Sequence, residues 1–194
     1  MDGNGRWAQR RRHPRVFGHI RGASRIAGIV READRLGVKA LTLYAFSTEN
    51  WTRPEDERSV LWKLLIKFLK REEAELAKNN VRLRIIGEID RLSPEVRAAL
   101  DPAVALLSKN TGLQLTFAVS YGSRREILRA AEAFARDCTE GKRKPVELAG
   151  PDGDAIFERY LWTGDLAELA DVDLVIRTSG EYRVSNFLLW QSAQ

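Results

Sequence analysis

Apolar residues along the chain alternate between helical spacing and short continuous runs. Positions 26–36 carry apolar side chains every three or four residues, the spacing of an amphipathic helix, and Gly37 can end that helix. The run that follows, at 38–46, is dense in strand-forming residues. The same alternation predicts further strands at 81–86, 113–119 and 172–176, and further helices at 57–78, 94–108 and 124–138. The pattern predicts an α/β fold with a mostly parallel central sheet covered by helices.

The size of the chain favours a single domain over residues 1–194. With 194 residues, of which 44% are hydrophobic, the chain can bury a sizeable core. The stretch 139–154 mixes glycines and prolines with charges, which predicts a long surface loop. No apolar run approaches the roughly 20 residues of a membrane span, so we expect a soluble protein, or one at most peripheral to a membrane.

Few residues are available for disulfides or soft metals. Cys138 is the only cysteine, which excludes a disulfide framework and fits a reducing cytosol. His13 and His19 are the only histidines, so a zinc site is disfavoured as well.

The formal net charge of +5 is concentrated near the start of the chain. Eight of the 32 basic residues and none of the 27 acidic residues lie between Gly3 and Arg31. A cationic segment of this kind indicates a polyanionic partner, which is nucleic acid, anionic lipid headgroups or a phosphorylated small molecule. A solvated charged face is the alternative interpretation.

Three polar clusters follow strands, provided that a strand also ends at residue 1. The first, at 2–7, puts the carboxylate of Asp2 beside two glycines and an arginine, a set that suits a metal ion and closely approaching backbone N–H groups. The second, at 47–54, follows the first predicted strand, and the third, at 177–186, follows the last and carries two arginines. Because parallel strands end at one edge of a sheet, we expect the clusters to converge on a pocket that binds diphosphate.

Each cluster also has a purely structural interpretation. Gly3 and Gly5 suit a tight turn. Ser47 or Thr48 suits a helix cap, and Trp51 suits an anchor in the core. These interpretations fit each cluster alone better than they fit all three together.

Residues in and around the clusters resemble the signature segments of cis-prenyltransferases, the family of bacterial undecaprenyl diphosphate synthase. The matching segments read MDGNGRW at 1–7, AFSTENWTRP at 45–54 and IRTSGEYRVSNFLLWQ at 176–191. The resemblance includes NVRLRIIG at 80–87 and NTGL at 110–113, and so extends over essentially the whole chain. It implies the cis-prenyltransferase fold with a hydrophobic tunnel, and one catalytic domain over 1–194 that lacks the family's first strand and C-terminal tail.

The resemblance implies a transferase that condenses isopentenyl diphosphate sequentially onto an allylic primer such as farnesyl diphosphate, with each new double bond cis. The implied product is a long-chain polyprenyl diphosphate, the precursor of the lipid carrier for cell-wall synthesis. Mg²⁺ is the implied cofactor, because a magnesium ion and arginines stabilise the charge that develops on a departing diphosphate. A homodimer, a cytoplasmic location and peripheral membrane contact for product release are also implied, without nucleic acid as a partner.

By the same resemblance, Asp2 holds the metal and acts in catalysis. The primer's diphosphate is bound at a helix N-terminus by the residues that follow, Gly3, Asn4, Gly5, Arg6 and Trp7. Arg15 and His19 resemble further contacts to the primer. The residues that match the clamp on isopentenyl diphosphate are Arg177, Arg183, Val184 and Ser185, and guanidinium groups suit the bidentate binding of phosphate.

The resemblance places Asn50 at the reacting centre. The residues around it are Ser47, Thr48, Glu49, Trp51 and Arg53. Because an amide oxygen is a very weak base, we expect Asn50 to position the reacting groups, and Asp2 or a diphosphate oxygen to take the proton instead.

The predicted helix around 60–69 is apolar on most sides, apart from a stripe of Lys63, Lys67 and Lys70. Two interpretations stay open: a wall of the product tunnel, or burial against the sheet and a partner subunit. Ala45 is small where bulkier residues in the family accompany shorter products, which favours a long product.

Two other functions compete with this one. A non-catalytic partner subunit of a cis-prenyltransferase complex would have no chemical need for the set Asp2, Asn50, Arg177 and Arg183. A nucleic-acid-binding protein would use the basic segment at 6–15 to follow phosphates, but would leave the distant arginines unexplained.

The segment SYGS at 120–123 departs from the asparagine and two glycines usual in the family, at positions that support the site.

Overall fold

The computed structural model describes residues 3–193, so Asp2 lies outside the described residues. The α-helices are Asn4–Gln9 (α1), Arg15–Ala23 (α2), Ile26–Arg35 (α3), Glu55–Lys78 (α4), Pro94–Leu107 (α5), Ser123–Thr139 (α6) and Gly153–Glu158 (α7). The strands are Ala40–Ser47 (β1), Arg82–Ile86 (β2) and Gln114–Tyr121 (β3). Short 3-10 helices lie at Thr48–Thr52, Ile89–Arg91, Pro145–Ala149 and Gly164–Leu169.

The three strands form one parallel sheet in the order β1–β3–β2. β3 is the central strand, and all of its residues are buried. Its register with β2 runs from Arg82 opposite Gln114 to Ile86 opposite Ala118. The mostly apolar sequence of β3 fits a strand that is covered on both faces.

The predicted α/β fold is confirmed, and the predicted helices and the first three predicted strands lie close to the observed elements. α3 begins at Ile26, and soon after its end Gly37 takes a left-handed φ of 76°, as expected of a residue that ends a helix. The main core is formed by side chains of α3, α4, α5 and the sheet, among them Val30, Phe68, Leu83, Leu100, Leu115 and Phe117.

The strand predicted at 172–176 is not present in the described structure, and this prediction is wrong. The segment is irregular, and most of its apolar side chains are exposed, Leu174 by 74% and Ile176 by 79%. A strand is stable where a neighbour pairs with its backbone groups, and within residues 3–193 no strand pairs with this segment. The expectation that Arg177 projects from the carboxyl end of a strand is wrong for the same reason.

The described residues divide into two compact units. Residues 3–120 with 176–182 form the first, and residues 121–175 with 183–193 form the second. In the second unit α6 and α7 pack through a small apolar cluster of Ala130, Phe157 and Leu161. The surface loop predicted at 139–154 is mostly exposed and includes one of the short 3-10 helices. Across residues 3–193, no helix combines the length and the apolar character needed to cross a membrane.

A buried carboxyl group organises the second unit. Glu126 accepts hydrogen bonds from the Tyr121 hydroxyl, from the Trp162 backbone N–H at 3.0 Å and from the Gln191 side-chain amide at 3.2 Å. Burial raises the pKa of the Glu126 carboxyl and outweighs these hydrogen bonds, which act in the opposite direction. One side chain therefore holds the start of α6 to two other segments of the unit.

Candidate active site

A cavity of about 110 Å³ lies in the first unit, lined by residues of α1 to α4, β1 and β3. One part of its wall is polar and cationic, and the other part is apolar. The polar wall consists of Gly3, Asn4, Gly5, Arg6, Arg15, His19, Asn50 and Arg53. The apolar wall consists of Ala23, Ile26, Ala45, Phe46, Leu61, Trp62, Leu64, Leu65, Phe68 and Phe117. Such a cavity suits an amphiphile with an anionic head and an apolar tail.

Two glycines at the start of α1 allow close approach at the polar wall. Gly3 precedes the helix with a φ of 75°, a left-handed conformation that glycine adopts without strain. A Cβ on Gly3 would also lie 1.6 Å from Ser179 Oγ, so a larger residue would displace the turn at Ser179. A Cβ on Gly5 would lie 2.9 Å from Arg15 Cζ. The backbone of α1 therefore packs directly on Ser179 and on the Arg15 guanidinium.

Asn4 is fixed in place by two glycines of α2. A Cβ on Gly18 would lie 1.9 Å from the Asn4 carbonyl oxygen, and one on Gly22 would lie 2.3 Å from Asn4 Nδ2. Arg6 pairs with Glu181 at 2.5 Å, which joins α1 to the segment 176–182. These contacts set the position of the polar wall before any substrate binds.

Glu57, in the first turn of α4, joins three of the predicted site residues. Its Oε1 lies 3.1 Å from His19 Nε2 and accepts a hydrogen bond from Arg53 Nη1 at 2.9 Å. Its Oε2 lies 3.4 Å from Arg15 Nε. Only 12% of the Glu57 side chain is exposed. A carboxylate with three such neighbours is held in one orientation, and it fixes Arg15, His19 and Arg53 at the cavity wall.

Burial and hydrogen bonds together set the protonation states of His19 and Glu57. Burial lowers the pKa of His19 below the usual 6.5, and the hydrogen bond to Glu57 opposes that shift without reversing it. Burial alone would raise the pKa of Glu57, but the hydrogen bonds from His19 and Arg15 outweigh it, and the pKa is lowered. At neutral pH His19 is therefore neutral and donates from Nε2 to the Glu57 carboxylate, which leaves the arginines as the cationic groups.

Asn50 lines the cavity from the 3-10 helix Thr48–Thr52. Its Oδ1 accepts a hydrogen bond from the Ser47 backbone N–H at 3.2 Å, and the Ser47 side chain accepts one from the Asn50 backbone N–H. This reciprocal pair is a capping box. An amide oxygen that already accepts a hydrogen bond is a still weaker base, so the geometry favours a positioning role for Asn50.

Trp51 is partly buried, packs against the core and is not among the residues that line the cavity. Its ring centroid lies 5.3 Å from that of Phe46 and 5.8 Å from that of Trp62. Its Nε1 donates to Ser120 Oγ at 2.9 Å, and the Arg91 guanidinium lies 4.9 Å from the ring centroid. These contacts describe Trp51 as an anchor for the segment that carries Asn50.

Other predicted residues of the first unit lie around the cavity rather than on its wall. Trp7 stacks on Phe17, with ring centroids 6.2 Å apart. Thr48 and Glu49 form the first turn of the 3-10 helix after Ser47. Burial and the charge of Glu49 raise the pKa of Tyr44 on β1, and Arg177 acts in the opposite direction, which places both charges near Tyr44.

Arg183, Val184 and Ser185 belong to the second unit, where all three are exposed. Ser185 has a left-handed φ of 53°. The Asn186 side chain accepts a hydrogen bond from the Arg124 backbone N–H at 2.9 Å, which ties this segment to the start of α6. That Arg177 and Arg183 clamp one diphosphate stays a prediction.

Three comparisons bear on the family. A family model described as "Putative undecaprenyl diphosphate synthase" matches residues 1–194. An isoprenyl transferase of Streptococcus pneumoniae is 46% identical over 194 residues, which are 100% of this chain and 75% of the relative. A ditrans,polycis-undecaprenyl-diphosphate synthase of Vibrio cholerae, named as specific for (2E,6E)-farnesyl diphosphate, is 46% identical over 193 residues, 100% of this chain and 74% of the relative.

A solved structure has the same fold. Lavandulyl diphosphate synthase from Lavandula x intermedia, in complex with dimethylallyl diphosphate, matches with a TM-score of 0.92 at 33% identity and covers 98% of this chain and 80% of its own. The chain belongs to the undecaprenyl diphosphate synthase family. Its members are cis-prenyltransferases, so the resemblance found in the sequence is confirmed.

In this member of the undecaprenyl diphosphate synthase family, α4 forms much of the apolar wall. Leu61, Trp62 and Leu64 line the cavity, and so do Leu65 and Phe68, which also belong to the main core. The helix therefore serves as a cavity wall and also packs on the sheet. That the cavity is the product tunnel, and that a partner subunit covers part of α4, stay predictions.

Glu57 is the site residue that sequence reasoning missed. Its position four residues after Arg53 was an available signal, because the two opposite charges are close enough in sequence to pair where the chain enters α4. Its contacts with His19 and Arg15 span 38 and 42 residues of sequence, and only the tertiary fold brings them together.

The described polar wall suits phosphate better than a metal ion. Within residues 3–193, no group of three His, Cys, Asp or Glu side chains is arranged to hold a metal. Both Glu57 oxygens are engaged by His19 and the arginines, and the guanidinium and amide N–H groups of the wall are donors to anions. A Mg²⁺ ion would therefore depend on Asp2, outside the described residues, and on oxygens of the diphosphate itself.

Proposed function

We propose that this chain condenses isopentenyl diphosphate repeatedly onto farnesyl diphosphate and makes a long-chain polyprenyl diphosphate with cis double bonds. One observation carries the proposal: a single cavity joins a cationic wall with Arg6, Arg15 and Arg53 to an apolar wall built largely by α4. The primer has the same two-part character, an anionic diphosphate and an isoprenoid tail. The name of the Vibrio cholerae relative supports farnesyl diphosphate as the primer.

The cationic wall acts on the ionisation of the primer. When the C–O bond to the diphosphate breaks, negative charge develops on the leaving group, and fixed guanidinium groups stabilise it. Glu57 orients Arg15 and Arg53 in advance, so little reorganisation is needed at the moment of reaction. The apolar wall excludes water, which protects the allylic cation from hydrolysis.

The double bond of isopentenyl diphosphate then attacks the allylic carbon, and loss of a proton forms the new cis double bond. Asn50 positions the reacting groups, and Asp2 or a diphosphate oxygen takes the proton. The clamp formed by Arg177, Arg183, Val184 and Ser185 binds the diphosphate of isopentenyl diphosphate. Asp2 and diphosphate oxygens would hold a Mg²⁺ ion, which would neutralise part of the leaving group's charge.

The proposal extends to the cellular role. The product is the precursor of the undecaprenyl lipid carrier for cell-wall synthesis, made in the cytoplasm by a homodimer. A single cysteine, Cys138, is compatible with a reducing compartment. A product with a long isoprenoid tail is poorly soluble in water, which supports release through peripheral contact with a membrane.

Incorporation of labelled isopentenyl diphosphate onto farnesyl diphosphate, with Mg²⁺ or with a chelator, tests the proposal. Arg15→Gln removes a guanidinium group from the cavity wall, and Arg12→Gln removes one from the exposed turn after α1 as a matched control. We expect long cis products from the wild type and from the control, and incorporation that is lower by roughly 100-fold in Arg15→Gln.

The outcomes separate the competing functions. Binding of labelled farnesyl diphosphate without any incorporation would identify a non-catalytic partner subunit. The absence of both binding and incorporation would contradict the use of this cavity for an allylic diphosphate.

A further inference from the structure

Five arginines near the start of the chain have no acidic partner among residues 3–193. Of the eight between Gly3 and Arg31, three pair with glutamates of the first unit: Arg6, Arg15 and Arg31. The other five form no ion pair with any residue that the structure describes, and all are exposed: Arg10, Arg11, Arg12, Arg21 and Arg25. The diphosphate site therefore accounts for only part of this local positive charge.

Exposed aliphatic side chains lie among these arginines. Ile20 is 47% exposed and stands next to Arg21 on α2. Ile29 is also 47% exposed and lies one helical turn after Arg25 on α3. Each of the two isoleucines therefore combines a free apolar surface with a neighbouring cation.

Aromatic rings add to this surface at the end of α1. Trp7 is 39% exposed and stacks on Phe17, and the Arg11 guanidinium lies 4.4 Å from the Trp7 ring centroid. His13 lies 4.4 Å from Phe17, between ring centroids. We define the α1–α3 basic surface as Trp7, Arg10, Arg11, Arg12, Phe17, Ile20, Arg21, Arg25 and Ile29.

This surface and the cavity use different sides of α2. At about 100° per residue, His19 and Ala23 project within roughly 80° of Arg15, and all three line the cavity. Arg21 projects roughly 240° from Arg15, away from the cavity. Ile20, which is 47% exposed, is not among the residues that line the cavity. The surface is therefore available while the cavity is occupied.

We propose that the α1–α3 basic surface docks the protein on membranes that contain anionic lipids. The arginines meet the headgroups, and Ile20, Ile29 and Trp7 enter the boundary of the acyl chains. Nucleic acid matches the charge equally well, but its phosphate backbone has no apolar region to bury the exposed isoleucines. The inference names the surface and lipid class for the peripheral contact proposed above, and it does not depend on catalytic turnover.

Sedimentation with vesicles, in the absence of substrate, tests the docking surface. The vesicles contain phosphatidylcholine alone or phosphatidylcholine with phosphatidylglycerol. The triple variant Arg12→Gln, Arg21→Gln, Arg25→Gln removes three charges from the surface. The control triple variant removes three charges from solvent-accessible side chains on other helices and loops, Arg97→Gln, Arg136→Gln and Lys142→Gln.

We expect the protein to bind the anionic vesicles and not the neutral ones. The surface triple variant should bind them roughly tenfold more weakly or worse, and the control should bind as the wild type does. Ile20→Ser should weaken the binding that remains at high salt, where the attraction between charges is screened.

Three results would overturn the proposal. Equal weakening by both triple variants would show a response to net charge alone. Wild-type binding to neutral vesicles as strong as to anionic ones would remove the role of the arginines. Binding to a DNA oligonucleotide, lost in the surface variant, without any binding to vesicles would identify nucleic acid as the partner.

Activity in detergent separates this proposal from the proposed reaction. None of the substituted residues lines the cavity, so all variants should incorporate isopentenyl diphosphate at the wild-type rate when detergent replaces the membrane. A variant that loses both activity and its melting transition would be misfolded, and Ile20→Ser alone would then decide the test.

Discussion

His19 Nε2 and Glu57 Oε1 lie 3.1 Å apart and join α2 to the first turn of α4. The two residues are 38 positions apart in sequence, so the contact forms only when the two helices pack. Through Glu57 it also brings Arg15 and Arg53 to the same side of the cavity. The part of the cationic wall formed by Arg15 and Arg53 is therefore a tertiary feature held by one carboxylate.

Glu57→Gln should impair the proposed reaction although Glu57 need not touch the substrate. The amide keeps the size of the side chain but loses the charge that orients the arginines, and hydrogen bonds to charged groups contribute about 1.5–3 kcal/mol each. We expect kcat/KM for farnesyl diphosphate to fall by roughly 10- to 100-fold. Glu55→Gln, an exposed change in the same helical turn, is the control. Equal losses in both variants would contradict the positioning role.

Stability should decrease on acidification in a way that depends on His19. Because the pKa of folded His19 lies below its usual 6.5, the unfolded chain binds more protons just below that pH, and the free energy of unfolding falls as pH falls. The lowered pKa of Glu57 adds a second loss below 4.5. Urea unfolding between about pH 8 and pH 5 measures the first loss.

The matched variants for this pH dependence are His19→Gln and His13→Gln. The first should flatten the decrease between about pH 7 and pH 5, and the second should retain it, because His13 does not contact Glu57. A decrease that persists unchanged in His19→Gln would assign it to another group.

Asn50→Asp distinguishes a positioning residue from a base. The carboxylate can still accept the hydrogen bond from the Ser47 backbone, so the capping box and the melting temperature should be retained. It is also a far stronger base than an amide, but it loses two N–H donors and brings negative charge to the cavity wall. We expect kcat to fall by roughly 100-fold. A rise in kcat would show that residue 50 takes the proton.

Gly3→Ala should destabilise the polar wall for two separable reasons. The left-handed φ costs an alanine about 1–2 kcal/mol, and the Cβ would overlap Ser179 Oγ. The double variant Gly3→Ala, Ser179→Gly removes the overlap but keeps the backbone strain. Urea unfolding of the two single variants and the double variant should show partial recovery in the double. Full additivity would mean that Gly3 and Ser179 do not interact.

Ala45→Leu should shorten the products of the proposed reaction. Ala45 lines the cavity from β1, so three further carbon atoms would occupy space otherwise open to the growing chain. Chromatography of the polyprenyl products measures their length. Ala77→Leu, at an exposed position of α4, should leave the product length unchanged. Products of wild-type length from Ala45→Leu would place the growing chain elsewhere.

Local patterns were enough to predict most of the fold. The spacing of Ile26, Val30 and Ala33 predicted α3, and the apolar run at 113–119 predicted β3. The run at 172–176 looked the same as a buried strand but is exposed and irregular. An apolar run shows that a segment is able to form a buried strand. Strand pairing also requires a neighbouring strand, and a local sequence pattern gives no information about that neighbour.

The sequence by itself determined the α/β architecture and the family, because spacing and motif are properties of the chain, and it predicts the residues that bind diphosphate. Only the tertiary structure decided that Glu57 gathers Arg15, His19 and Arg53, that Trp51 packs against the core, and that one face of α4 lines the cavity. Those arrangements depend on contacts between residues far apart in sequence, and such contacts are set by how the helices pack on the sheet.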